Sequence, residues 1–477
     1  MGKRLNIVSS GLALLVAGCG AGGATDDTTV VASALVAANN PAGRAETVTT
    51  TGTIDRTGTF FQPLGTNPRT CETCHSANQG WTLTTLAATE LFFTSQGLAP
   101  LFNPVDQGAR PDEDLSTFFS RLINFAPNTL ALGVTRFTRT NPATSEFNVT
   151  AVHDPSGFST TTSFLNFRRP TSVANESLTS SVTNTAGPGT VVAALSGLVV
   201  GAANLHEQRQ PPPVPADQVA AQVAFQLTLF FAQTIDKDAG RLDVDGAMGG
   251  PTNLMAQPFH IGINDIQGND PSGQPFSPNV FNIFDAWSVY NQNPDHDHSH
   301  GYGCNSSGPD DQNHRDHIAA ARASIYRGQE IFNNLQFNVT GVQGLNDVLG
   351  QTTVQATCST CHNAPNVGGH SVVRMFDVGT ADLPNCNPAL PLVTVQNKTT
   401  GETRTVCDLG RAAGSHLWAD IGGFRAPPLR GLAARAPYFH DGQARTIDDT
   451  VDYFDRRFQI GLRSDQKQDL VAFLRAL

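Results

Sequence analysis

The amino-acid sequence predicts a mainly α chain, divided into two domains and threaded by long irregular loops. Three observations lead there. At 477 residues the chain exceeds what one hydrophobic core usually holds, since single cores rarely grow past ~250–300 residues. One pentapeptide form, Cys-x-x-Cys-His, occurs once in each half, as Cys71-Glu72-Thr73-Cys74-His75 and as Cys358-Ser359-Thr360-Cys361-His362. The clearest apolar periodicities have helical spacing, while 44 glycines and 29 prolines mark many turns.

The elements follow in chain order. Met1-Gly2-Lys3-Arg4 and the apolar stretch from Leu5 to Val16 read as an export signal over residues 1–18. Its end, Val16-Ala17-Gly18-Cys19, looks like a bacterial lipobox, which implies lipidation of Cys19 and contact with a membrane through that N-terminal lipid only. Residues 19–50, rich in Gly, Ala, Thr and Val, suit a flexible tether. A first domain spans 51–235 and ends in a helix opened by Ala216-Asp217, with Val219, Val223, Leu227 and Phe230 along one face. Residues 236–312 read as a connector. Near its end His296, His298, His300, His314 and His317 form either a solvated loop or a metal site.

The second domain, 313–477, opens with a helix over 315–333 that carries Ile318, Ile325 and Phe332. Two helices close it. Thr446 caps one with Ile447, Val451 and Phe454 inward, and Ser464 caps the other with Leu470, Leu474 and Leu477 inward.

Each pentapeptide has the form of a c-type haem attachment site. Two thiols three positions apart can add to the two vinyl groups of one porphyrin, and the imidazole that follows is left beneath the iron. Cys71, Cys74 and His75, and Cys358, Cys361 and His362, would thus hold two covalent haem c groups, with His75 and His362 as proximal ligands. A four-thiolate zinc site or a redox dithiol would use the same cysteines. Neither calls for a histidine after both pairs, and zinc pairs lie roughly 15–20 residues apart. The fold class sharpens to two c-type cytochrome domains, each around one haem.

Export agrees with haem attachment outside the cytoplasm and places the chain in the periplasm or cell envelope. Of eight cysteines, this leaves Cys304, Cys386 and Cys407. A predicted hairpin, Val393 to Gln396 against Thr403 to Cys407, favours a bridge from Cys386 to Cys407 in an oxidising compartment and leaves Cys304 free. The formal charge of −11 argues against nucleic acid and suits steering of a basic soluble partner, such as a small electron-carrying cytochrome.

Three C-terminal segments carry a family resemblance: Phe424-Arg425-Ala426-Pro427-Pro428-Leu429-Arg430, Ala436-Pro437-Tyr438-Phe439-His440-Asp441-Gly442, and Leu470-Val471-Ala472-Phe473-Leu474. With both pentapeptides they resemble the bacterial di-haem cytochrome c peroxidase family, which includes MauG-like enzymes and, more distantly, rubber oxygenases. The resemblance implies reduction of hydrogen peroxide at the N-terminal haem. Electrons from a small periplasmic donor, such as a monohaem cytochrome c, would enter at the C-terminal haem. It leaves open one calcium ion between domains and a homodimer.

Two departures from the family pattern stand out. Where electron-transferring members place a methionine ligand, this chain has Phe454, with Tyr453 beside it. Its methionines are Met1, Met248, Met255 and Met375. Tyr453, His370 and His440 are the sixth-ligand candidates for the second iron. The family's distal carboxylate has no clear counterpart, and His206-Glu207 is the best substitute: Glu207 to shuttle a proton between peroxide oxygens, His206 to cap the iron. Glu176 is a rival for the same role. Trp81 and Trp418 are candidates for a path between the haems, and Arg425 and Arg430 for pairing with haem propionates. An electron carrier without turnover, and an oxidase using peroxide or dioxygen, are the competing readings.

Overall fold

The computed structural model describes residues 36–183, 190–292 and 309–477. The leader, Cys19, His296, His298, His300 and Cys304 lie outside the described residues.

The mainly α expectation is overturned. About 35% of the described chain is helical and 16% is strand, and the strands form four sheets. The largest sheet orders its strands as Val36–Asn40, Gly43–Thr49, Leu229–Asp236 and Gly240–Arg241. Its first hairpin falls in the stretch read as a tether. The alternation of small and β-branched residues in Ala45-Glu46-Thr47-Val48-Thr49 is what pairs it antiparallel with Leu229–Asp236. That third strand is buried along nearly all its length. It reads as a continuous apolar run, and periodicity alone cannot separate such a run from a buried helix. The helix before it therefore ends at Leu227, and Phe230 belongs to the strand.

A second sheet joins the two halves of the chain. Phe147–His153 pairs with Leu392–Asn397, which pairs in turn with Thr403–Val406. Cys386 and Cys407 are disulfide-bonded at the end of this hairpin, with a Cα–Cα separation of 5.8 Å.

The helix Pro309–Asn334 packs along Ser464–Ala476. Contact is close at Gly328, where a Cβ would come within 2.0 Å of the Asp469 carbonyl oxygen. Arg327 closes the same junction by an ion pair of 2.7 Å to Asp469. Ile325, Phe332, Phe281, Phe284, Trp287, Phe473 and Leu474 are buried there as one core. Thr446 caps the helix Ile447–Phe458 by accepting from the Asp449 amide, whereas Ser464 is the first helical residue and Arg463 occupies the cap. The chain end returns to the central sheet: the Leu477 carbonyl accepts from Gln233 N at 3.3 Å and from Gly431 N at 2.8 Å. Among the described residues no helix is long and apolar enough to cross a membrane.

Candidate haem sites

The two pentapeptides fold into similarly bonded turns, a 3-10 turn at Cys71–Thr73 and an α turn at Cys358–Cys361, and the residues around them explain why. Thr70 and Thr357 precede the first cysteines and act as caps, each with a threonine three positions on. The amide of Thr70 donates to Thr73 Oγ1 at 3.0 Å, and that of Thr357 donates to Thr360 Oγ1 at 3.0 Å. The turn then closes on the histidine: His75 N donates to Cys71 O at 3.0 Å, and His362 N to Cys358 O at 3.2 Å.

Each imidazole is fixed in the same way. His75 Nδ1 bonds the Trp81 carbonyl at 3.1 Å and His362 Nδ1 bonds the Gly368 carbonyl at 2.5 Å, in both cases six residues downstream. A carbonyl can only accept, so Nδ1 carries the hydrogen and the Nε2 lone pair is left for a metal. Burial pushes His75 down to about 4 and lowers His362, so both rings are neutral. Trp81 reaches its position with φ of +59°, a region that costs a non-glycine residue strain and is kept where surrounding structure demands it.

The four thiols are free, and burial pushes each up to about 12, so they stand as S–H groups. Each pair lies at a seam between two apolar clusters. Cys71 packs with Phe60 and Trp81, Cys74 with Phe92 and Phe125. Cys358 packs with Phe281 and Phe332, Cys361 with Val339 and Phe376. Apolar layers around an open imidazole nitrogen and two thiols fit a porphyrin attached at its vinyl edge. The Nε atoms of Arg169 and Arg435, buried without partners, fit the carboxylates such a group carries.

Beside the first turn, Asp106 joins the predicted His206 to Arg69, which the sequence did not single out. Its Oδ1 accepts from Arg69 Nη1 at 2.5 Å and its Oδ2 bonds His206 Nδ1, which leaves His206 Nε2 uncommitted. Glu207 does not face solvent: its side chain is buried and accepts from Leu64 N at 2.5 Å, and its Oε1 lies 3.9 Å from Cys71 Sγ. Burial raises this carboxyl above its ordinary range, while the backbone amides of Leu64 and Gly65 pull it down. Gly65 is required there, since a Cβ would come within 1.8 Å of the Glu207 carbonyl oxygen.

The structure separates the candidates at the second turn. His370 is buried with Nδ1 on the Cys361 carbonyl at 2.9 Å and Nε2 unpartnered. Burial pushes it down to about 3, so the ring is neutral. His440 stacks on Phe424 at 4.2 Å with both ring nitrogens unpartnered. It gathers with Asp441 and Cys407 as a metal-like cluster, but the Cys407 sulfur is committed to the disulfide. Tyr453 spends its hydroxyl on the Val378 carbonyl at 2.9 Å. Phe454 is half-buried among Phe439, Tyr453 and Phe458. Arg430 is fully buried and donates to the carbonyls of Leu477, Asn366 and Gly250, a structural role that ties the chain end in place. Trp81 is fully buried, and Trp418 packs against the cluster under the Phe147–His153 sheet, beside Phe147.

With this geometry in place, the comparisons with known proteins decide the resemblance. The chain resembles bacterial cytochrome c peroxidases. It is 33% identical over 140 residues to cytochrome-c peroxidase IdrP2 of Denitromonas iodatirespirans, covering 26% of this chain and 37% of that protein. It is 36% identical over 122 residues to cytochrome c551 peroxidase of Pseudomonas aeruginosa, covering 25% and 30%. With cytochrome c peroxidase Ccp of Escherichia coli the values are 33% over 122 residues, covering 25% and 22%. The chain therefore spans about a third or less of the length of these peroxidases, and no family model matches it.

Several residues of the sites escaped the sequence reading. Thr70, Thr73, Thr357 and Thr360 were legible, because the extended form Thr-Cys-x-Thr-Cys-His is printed twice. The Trp81 and Gly368 carbonyls leave no side-chain signal. Asp106 and Arg69 lie far from His206 in sequence, so only the fold brings them together.

Proposed function

We propose that this protein is an exported di-haem c-type cytochrome that reduces hydrogen peroxide with electrons from a small donor cytochrome. Electrons enter at Cys358–His362 and are consumed at Cys71–His75, in the overall reaction H2O2 + 2 e− + 2 H+ → 2 H2O. The observation that carries this reading is the pair of similarly bonded turns, each presenting two S–H groups and one imidazole whose Nδ1 is fixed on a backbone carbonyl six residues on. The similarity to proteins named cytochrome c peroxidases supports the choice of peroxide and of a cytochrome donor. The disulfide supports an oxidising compartment and hence export, with Cys19 as the lipid anchor.

When bound, the haem supplies one-electron redox chemistry and an iron site for peroxide. The chain's own residues do the rest. The cysteine S–H groups would attach the haem covalently at its vinyl groups. His75 and His362 would ligate the irons, in a tautomer set by the Trp81 and Gly368 carbonyls. On the first site, Asp106 fixes His206 by its Nδ1 and keeps Nε2 available to cap the iron. Glu207, a buried carboxyl held above its ordinary range, holds and returns a proton. His370 Nε2 and His440 are the ring nitrogens offered on the second site.

Two measurements test the reading. An alkaline pyridine haemochrome spectrum should show two haem c groups per chain. Reductively activated protein should oxidise ferrocytochrome c when peroxide is added, and Glu207→Gln should slow that turnover. Absence of donor oxidation overturns the peroxidase. EPR showing both irons six-coordinate before and after reduction would leave an electron carrier, the reading favoured by the locked His206.

A further inference from the structure

The chain from Arg169 to Ser181 runs from one turn to the other, and it carries a buried carboxylate at its midpoint. At its start, Val173 N donates to the Trp81 carbonyl at 3.2 Å, the same oxygen that fixes His75. Ala174 packs in the cluster that holds Trp81 and Cys71. At its far end, Ser180 Oγ donates at 2.6 Å to the carbonyl of His370, whose ring is held by the Cys361 carbonyl. Leu178 packs with Ala364 and Val367, which belong to the loop after His362. Glu176 lies between these two anchorages.

The carboxylate is held there with unusual care. Asn175 takes φ of +65°, and its side chain clamps the central sheet: Nδ2 donates to Phe231 O at 2.9 Å and Oδ1 accepts from Phe231 N at 2.9 Å. Glu176 is 4% exposed and its Oε2 has no hydrogen-bond partner. A buried carboxylate oxygen without a partner is costly unless the group carries a proton part of the time. The charged groups that face it are Arg425 and Arg435, with Arg169 and Tyr438 behind Arg435. Burial raises the carboxyl to about 7, against the opposing pull of the two guanidinium groups. The neighbouring hydroxyls of Thr179, Ser180 and Ser181 donate to the carbonyls of Ser181, His370 and Thr183, which leaves Glu176 as the titratable group of this segment.

We propose that Glu176 is a redox-linked proton site shared by the two haem centres. The inference rests on the reading of both turns as haem sites, and not on the peroxidase activity. An electron from the reduced donor cytochrome lowers the positive charge at an iron, and a proton from water binds Glu176 Oε2. The donor is oxidised, the iron is reduced, and charge on the chain is unchanged. Each of the two electrons that peroxide reduction consumes then arrives with a proton already inside the protein.

The test is potentiometric and needs no peroxide. In the holoprotein, the midpoint potential of at least one haem should fall with rising pH by up to about 59 mV per unit around neutrality, the tenfold change in proton activity per unit expressed for a one-electron couple that takes up one proton. Glu176→Gln, nearly isosteric and always neutral, should flatten that slope, and Glu176→Asp should restore part of it. Redox-difference infrared spectra should show a carboxylic C=O band on reduction that Glu176→Gln removes. A slope and a band both unchanged in Glu176→Gln would overturn the proposal. Haem loading measured on the same samples separates this from failure of the haem reading: a protein without haem has no potential to titrate. Should Glu176→Gln fold poorly, the infrared band of the native holoprotein decides alone, since absence of any redox-linked carboxylic band is fatal.

Discussion

Replacing Asp106 by asparagine tests whether the first site is built around a buried charge. The carboxylate is 1% exposed and Arg69 is 2% exposed, and they meet at 2.5 Å. Arg69 also donates Nε to Pro100 O at 2.8 Å and Nη2 to Leu101 O at 2.6 Å. Asparagine keeps the shape and one acceptor but removes the negative charge. Arg69 then keeps carbonyl partners for its N–H groups while its charge stands alone in the interior. Breaking a buried pair costs about 3–5 kcal/mol, and the surviving carbonyl bonds place this case near 3 kcal/mol. Arg69→Met should cost a similar amount by stranding Asp106. Because the two share one interaction, the double variant should cost about 2 kcal/mol less than the sum. Urea unfolding of the haem-loaded protein, followed by circular dichroism, measures all three. The EPR signature of the first haem provides an independent check, because Asp106→Asn also loosens His206. Additivity within about 0.5 kcal/mol, with an unchanged EPR spectrum, refutes the coupled Arg69–Asp106–His206 arrangement.

Three further outcomes follow from the same geometry. Thr73→Ala and Thr360→Ala each remove the hydroxyl that accepts from the Thr70 or Thr357 amide and should cost about 1 kcal/mol, read by chemical denaturation, with a lower yield of covalent haem at the affected turn by mass spectrometry. Tyr453→Phe should cost about 1 kcal/mol through loss of the bond to Val378 O and leave the EPR signals of both haems unaltered; a changed signal would make Tyr453 a ligand. Asp408 is fully buried, which pushes its carboxyl up, but the paired Arg168 guanidinium outweighs burial and holds it at about 2. Its folded value lies below the ordinary 3.8, so its stabilisation, about 2 kcal/mol, is complete above that value and drains away as pH falls from about 4 to 2. Arg168→Gln should lower stability at neutral pH and flatten that acid-side slope in pH-dependent unfolding.

What the sequence disclosed depended on whether the signal was local. The two pentapeptides, the helices Ile447–Phe458 and Ala216–Leu227, and the hairpin near Cys407 are each written in a short stretch of residues, and local hydrogen bonds make them. The sheets were hidden for a different reason. Leu229–Asp236 directly follows a helix and continues its apolar character, and its partner Gly43–Thr49 lies nearly two hundred residues earlier, so nothing nearby marks the change of period. The far sides of the sites were hidden likewise. Asp106 meets His206 across 100 residues, and Glu207 reaches Leu64 across 143. Family likeness pointed to Glu207 as a carboxylate without showing that Leu64, Gly65 and the Cys71 sulfur surround it.

The two turns are alike where attachment demands it and unlike where chemistry would differ. Both present a neutral imidazole through an identical six-residue reach to a carbonyl, so the protein imposes no asymmetry from that side. The first turn is surrounded by ionisable groups with mates: Arg69, Asp106, His206 and Glu207 are all hydrogen-bonded. The second is faced by the unpartnered Nε2 of His370, and the aromatic side chains Phe439 and Phe458 pack in the clusters that hold Cys358 and Cys361. Apolar surroundings with a neutral nitrogen disfavour proton movement and suit an iron that only changes charge. Carboxylates and imidazole in one network suit bond-breaking chemistry that consumes protons. The proposed division of labour between the two sites rests on this difference in their surroundings, and Glu176 lies in a segment whose backbone and side chains reach both.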